Sequence, residues 1–201
     1  MKMLKSLLRY LTLSLASLVI FASLVLTLGL NSTKYLYSET GILENTQLLL
    51  LAVSFLFFVF AVFNPKPRKM IPLFFASMTY ALFLRELEIR DIFPNVPNWI
   101  EFLIDGDVKH CTNAVIIAIP LIIAVINFKV YFKEALNFVF STQFVYLILT
   151  FALLWCGYFC EKKIPNPQYA ELGEEIFEIL GYMMYLMCAC LTEYKTRKIS
   201  D

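Results

Sequence analysis

Histidine is almost missing from this chain, His110 being the only one. A single imidazole excludes the metal sites that need several, so any metal would be held by oxygen ligands of the kind that suit calcium, magnesium or manganese. Glycine is scarce too, with six in 201 residues, and none of them forms a glycine-rich phosphate loop. No serine or cysteine nucleophile has a base beside it in the sequence. Charge is the third scarcity: charged residues make up 16% of the chain, against roughly a quarter in a soluble domain.

What fills the space is apolar. Hydrophobic residues account for 60% of the chain, with 19 Phe and 11 Tyr, and the mean hydropathy is +0.70. A chain of this composition belongs in a bilayer, and the lipid is its first partner. Each span takes about 20 residues, so the 201 residues predict a single all-α domain, a polytopic membrane helix bundle of about six transmembrane helices. Apolar runs place the spans at about 7–30, 48–63, 71–90, 113–130, 140–159 and 172–192. The first run is too long for a signal-peptide core of about 7 to 15 residues and reads as a retained helix. NPKPRKM at 64–70 and EKKIPNPQ at 161–168 read as proline-broken loops, and Pro120 is expected to kink the fourth helix. Between the third and fourth helices, WIEFLI at 99–104 reads as a short segment lying along the interface, with Trp99 at its start.

Lysine and arginine set the orientation, because cytoplasmic loops carry their excess. With six spans, one side holds 11 of the 17 basic residues and only three acids, while the other side and its helix ends hold six bases and 13 acids. Both termini are therefore expected in the cytoplasm, in a bacterial inner membrane.

The acids and arginines on the outer side form a pattern. LFLRELEIRD at 82–91 ends an apolar run with Arg85, Glu86, Glu88, Arg90 and Asp91. Ile71 to Leu84 is 14 residues, which covers about 21 Å of a roughly 30 Å hydrocarbon core and leaves Arg85 and Glu86 inside it. Read backwards from Thr192, the sixth helix reaches Glu178 after another 14 apolar residues. On the second helix, Gln47 falls just inside the core and Glu44 near its edge. Glu171, Glu174, Glu175 and Glu178 stand at i, i+3, i+4 and i+7, so all four carboxylates are expected on one face of the sixth helix. These eleven residues are the candidate binding site. Like charges at that spacing repel, so protons, a cation or a basic partner must join them. If a metal binds, Glu86, Glu175 and Glu178 are its expected ligands. The plainer alternative is a structural clamp of Arg85 with Glu178 or Glu175, because an arginine at that depth costs about 2.5 to 3.5 kcal/mol without a partner.

Two short motifs resemble known sites. WCGYFC at 155–160 resembles the WCGxxC site of thioredoxin-like proteins, but three residues separate its cysteines and an apolar helix surrounds it. The Glu174–Glu175 pair is similar to that of glutamate-type intramembrane proteases, yet residue 178 is glutamate where that family has arginine, and its histidine motifs are missing. Cys111 and Cys160 both fall near the outer face, where a structural disulfide would form if the fourth and fifth helices are neighbours. Cys188 and Cys190 read as core. NST at 31–33 is a glycosylation sequon on the expected outer side, meaningful only in a eukaryotic source.

Two function classes follow from the charged layer. One is a small transporter in which glutamates bind a cation or proton. The other is a non-catalytic subunit or assembly factor, whose acidic outer face docks a membrane protein partner or a second copy of the chain. An enzyme acting on a lipid or thiol comes third. No cofactor beyond an oxygen-ligated cation and no nucleic-acid partner is expected.

Overall fold

A computed structural model describes residues 41–63, 70–86 and 107–198. Among them are six helices and no strand: α1 (Ile42–Phe63), α2 (Met70–Glu86), α3 (Asp107–Ile126), α4 (Phe128–Val139), α5 (Thr142–Lys163) and α6 (Pro167–Lys198). Helices α1, α2, α3, α5 and α6 correspond to the second through sixth expected helices. The expected first helix at 7–30 and the interfacial segment at 99–104 lie outside the described residues.

α1 shows how the sequence makes a membrane helix. Its buried residues, Leu43, Gln47, Leu51, Ser54, Phe58 and Ala61, recur every three or four positions and form one stripe. The opposite face is equally apolar, with Ile42, Leu49, Leu56, Phe60 and Phe63 exposed. A helix that is apolar all round is stable only where its outer face meets hydrocarbon. The few hydroxyls inside these helices are satisfied within their own helix. Ser54, Ser77, Thr79, Thr150 and Thr192 each bond to the carbonyl four residues back.

Three helices, α1, α5 and the part of α6 from Pro167 to Tyr194, are long and apolar enough to cross a membrane. The bent pair α3 and α4 brings the number to four if it counts as one span, and the apolar part of α2, Met70–Leu84, is shorter. The chain is thus an all-helical membrane protein with three to four such spans among its described residues.

Packing runs in the order α5, α6, α1, α2, α3. α1 and α6 are parallel. Gln47 meets Glu175 near one end of the pair, and the ring of Phe58 lies 5.5 Å from that of Tyr185 further along both helices. α2 is antiparallel to both, since Phe55 faces Tyr80 while Phe58 stacks on Phe75 at 5.4 Å. Phe58, Phe75 and Tyr185 form the centre of the core, extended by Phe138 and Phe144. The Tyr185 hydroxyl is buried there, 2.9 Å from the Thr79 hydroxyl and donating to the Phe75 carbonyl at 3.2 Å.

α5 and α6 form a tight hairpin. The loop between them is only 164–166, shorter than the 161–168 expected, because α5 continues through Lys163 and α6 starts at Pro167. Asn166 caps α6 by accepting the Gln168 N–H at 3.0 Å, with Pro167 in the first helical position, where its missing N–H costs nothing. Glycines let the two helices approach closely. A Cβ on Gly157 would lie 3.3 Å from the Glu174 carbonyl oxygen, and one on Gly181 would lie 3.0 Å from Leu154 Cδ2.

The sharp break falls at Asn127. α3 runs on through the buried Pro120, then breaks between Ile126 and Phe128, where α4 leaves at 111°. At Asn127 the side-chain amide donates to the Ile123 carbonyl at 3.3 Å, alongside the backbone N–H of the same residue. The stretch 128–139, which includes the interval between the fourth and fifth expected spans, is helical because Phe128, Tyr131, Phe132, Ala135 and Phe138 share one apolar face. Flanking that face beside Tyr131 and Phe138, Glu134 is buried and accepts the Ile71 N–H at 3.3 Å, capping the first turn of α2.

Candidate functional site

The four glutamates of α6 lie on one continuous helix, and Glu175 is the one of them bonded to α1 by Gln47. Leu172, Glu175 and Ile179 form the stripe that faces α1, and Leu43, Leu172 and Ile179 close an apolar cluster around the pair. Inside that seam the Gln47 side-chain amide donates to Glu175 Oε2 at 2.6 Å. Gln47 is 1% exposed, and its Oε1 is buried with no hydrogen-bond partner among the described residues. An amide that gives its N–H to a carboxylate and leaves its carbonyl oxygen bare is an unsatisfied arrangement. Burying an acceptor that way costs about 1 to 3 kcal/mol unless something else meets it.

The remaining carboxylates stand within about a turn of this pair along α1 and α6. Glu44 is one turn before Gln47 on α1 and half-buried. Glu178 lies one turn after Glu175, with its Cγ 3.6 Å from the Cβ position of Gly157, so its stem packs toward α5. Glu174 is half-buried, its backbone also against Gly157, and Glu171 is exposed.

Register places the end of α2 at the same height. Thr79 and Tyr185 touch, and the two helices are antiparallel, so seven residues from that contact α2 reaches Glu86 and α6 reaches Glu178. Arg85 and Glu86 form the last turn of α2, but their side chains lie outside the described ones, and so do residues Glu88, Arg90 and Asp91. The same holds for any contact between Arg85 and Glu178. Among the described residues, no group of three or more His, Cys, Asp or Glu side chains stands close enough to hold a metal ion. The carboxylate of Glu86, one of the three expected ligands, lies outside that set.

All five cysteines are free. The Cys111–Cys160 bond expected if α3 and α5 are neighbours is not made: α3 packs chiefly on α2, while Cys160 packs on α6, its Sγ 3.2 Å from the Cβ position of Gly173. WCGYFC is plain helix, with Cys156 exposed and Gly157 in the α6 interface. At the exposed end of α5, Lys162 pairs with the neighbouring Glu161.

Two polar features gave no clear signal in the sequence. Tyr185 sits in an apolar run that reads as packing whether or not its hydroxyl is bonded. Glu134 reads as a loop acid until the apolar spacing of 128–139 is taken as helical; the burial of one acid on an amphipathic helix then points to a cap. Comparison with protein-family models, with curated proteins and with solved structures gives no match. The class that fold and site define is therefore an all-helical integral membrane protein with a part-buried carboxylate–amide pair between two parallel helices.

Proposed function

We propose that this chain is a small membrane transporter in which Glu175 and Gln47 bind a cation or proton, with Glu178 and Glu44 beside them. One observation carries this reading: the bare Oε1 of Gln47, next to a carboxylate inside an apolar seam. A cation held between Gln47 Oε1 and the Glu175 carboxylate would meet the bare amide oxygen beside a negative charge, which is the chemistry of oxygen-ligated cations. A proton would serve equally if the amide turned so that a protonated Glu175 donated to it. Intramembrane carboxylates with such partners mark ion and proton pathways in general. In this reading Arg85 and Glu86, followed by Glu88, Arg90 and Asp91, close the same layer from α2, and Arg85 keeps the site from permanent occupation. The full bundle has six spans with both termini cytoplasmic in a bacterial inner membrane.

Reconstitution tests it. Wild-type protein in liposomes is expected to move cations or protons under an imposed gradient, and Glu175→Gln to stop that movement without loss of the folded protein. Equal, zero flux in wild type and variant under gradients of either sign defeats the transport reading. The second reading, a non-catalytic subunit or assembly factor, is favoured by the exposure of Glu171 at the acidic end. It predicts a membrane partner that co-purifies with wild type and is lost with Glu171→Lys.

A further inference from the structure

α1 packs between α6 and α2, and the side of it that faces neither is an apolar stripe. Ile42, Leu49, Leu56, Phe60 and Phe63 are each half or more exposed there, and their spacing keeps them on one face of the helix. Asn45 is exposed on the same stripe near its start. In a bilayer such a stripe meets lipid or another apolar helix, and helices associate there through small residues that let their backbones approach.

Residues 7–30 carry small residues at the spacing of that stripe. The run is 24 residues, about 36 Å as a helix, against about 33 Å for the 22 residues of α1. Only residues 31–41 separate the two, and consecutive elements joined by a short connection are usually neighbours. Turned back at that connection, the run is antiparallel to α1, with Leu30 level with Ile42. Counted away from that end, Ser23 comes level with Leu49, Ala16 with Leu56 and Thr12 with Phe60. Thr12, Ala16, Ser23 and Thr27 share one helical face as two small-xxx-small pairs, so these bulky side chains of α1 each have a small residue opposite them. The size pattern reverses between them, where Ile20 comes level with Ala52, and Thr27 comes level with the polar Asn45. The basic head, with Lys2, Lys5 and Arg9, then lies at the Phe63 end of α1. That is the end where α4 and its lysines meet the start of α2, as an excess of bases on one side requires.

We propose that the outer stripe of α1 is the docking face of residues 7–30, packed antiparallel with Thr12, Ala16 and Ser23 against Phe60, Leu56 and Leu49. The proposal rests on residues 7–30 forming the first of the expected spans. It is independent of the ion site, because Gln47 belongs to the buried stripe of α1 and not to this one.

The test uses the full chain in native membranes, with benzoylphenylalanine in place of Phe60. Irradiation is expected to join it to the same chain at or near Thr12, located by mass spectrometry of the digested protein. Attachment to lipid, to a second copy of the chain or to another part of the same chain overturns the proposal. Disulfide trapping gives a second measurement with smaller substitutions. The five native cysteines are replaced by serine, and a protease site is placed within 31–41. Ala16→Cys with Leu56→Cys, and Ser23→Cys with Leu49→Cys, are each expected to hold the two fragments together after oxidation and cleavage. Ser17→Cys with Leu56→Cys is expected to release them, since residue 17 is turned by about 100° from residue 16. Separation of the fragments in both matched pairs, or joining by Ser17→Cys equal to that by Ala16→Cys, overturns the proposal as well.

Discussion

Gln47 is the residue on which the chemistry of the acidic end turns. It is a buried amide in an apolar stripe, and its donor is committed to the Glu175 carboxylate. Hydrogen bonds to charged groups contribute about 1.5 to 3 kcal/mol, more than neutral ones. Gln47→Leu is therefore expected to lower stability by about that amount, measured by thermal or denaturant unfolding of the purified protein, because Glu175 loses the Gln47 N–H. Glu175→Gln keeps an amide partner and is expected to cost under about 1 kcal/mol. A double variant should cost less than the sum of the two, since the residues are in contact. If Gln47→Leu and Glu175→Gln prove equally mild, the pair is not a charged one. Tyr185 makes the contrast: its hydroxyl bonds Thr79 and the Phe75 carbonyl in the middle of the core. Tyr185→Phe is expected to cost about 0.6 to 1.7 kcal/mol, the range of interhelical hydrogen bonds within membranes. Gln47 was legible in the sequence because an amide interrupts an apolar run. The partner of Tyr185 was not, because an aromatic residue suits such a run with or without a bonded hydroxyl.

At the scale of elements, the α5–α6 hairpin depends on close approach at glycine. A Cβ on Gly157 meets the Glu174 carbonyl oxygen at 3.3 Å, and backbone cannot turn aside. A Cβ on Gly181 meets Leu154 Cδ2 at 3.0 Å and its Cγ at 3.1 Å, part of a side chain that can change rotamer. Gly157→Ala is thus expected to destabilise by about 1 to 3 kcal/mol, as overpacking does, and Gly181→Ala by less despite its shorter contact. Unfolding measurements on the two variants that give the reverse order would show that the hairpin separates easily at Gly157. Most of these elements were legible, since long apolar runs fix where a helix can lie; the start of α6 was not, because Asn166 and Pro167 read as loop residues and act as its cap and first turn. The sharp break at Asn127 was not legible. Pro120 carries the stronger local signal, but a proline removes one backbone bond, whereas at Asn127 the side-chain amide competes for the Ile123 carbonyl and the chain turns there. Helix α4 was missed because its lysines resemble those of a cytoplasmic loop, and only the spacing of its aromatic residues shows an apolar face.

For the whole molecule, the decisive question is whether α3 carries the chain from one side of the membrane to the other. The acidic end holds Glu175 and Glu178, the α5–α6 loop and the start of α3, while Lys129 and Lys133 follow the bend at Asn127. If α3 crosses, the bases on α4 face the cytoplasm and the carboxylates the opposite side, which agrees with the excess of lysine and arginine expected there. If the bent pair re-enters, α4 returns to the side from which α3 began, and three spans remain of the four. Exposed positions on the two helices separate these arrangements: Cys111 near the start of α3 and Asn137 on α4. In sealed vesicles of one orientation, with the other four cysteines replaced by serine, a membrane-impermeant maleimide is expected to reach Cys111 from the acidic side. Asn137→Cys, with Cys111 also replaced, is expected to react only from the other side. Labelling of both from one side would make α3 and α4 a re-entrant pair. It would place Lys129 and Lys133 among the headgroups of the acidic face, where the rule that positive loops stay inside does not put them.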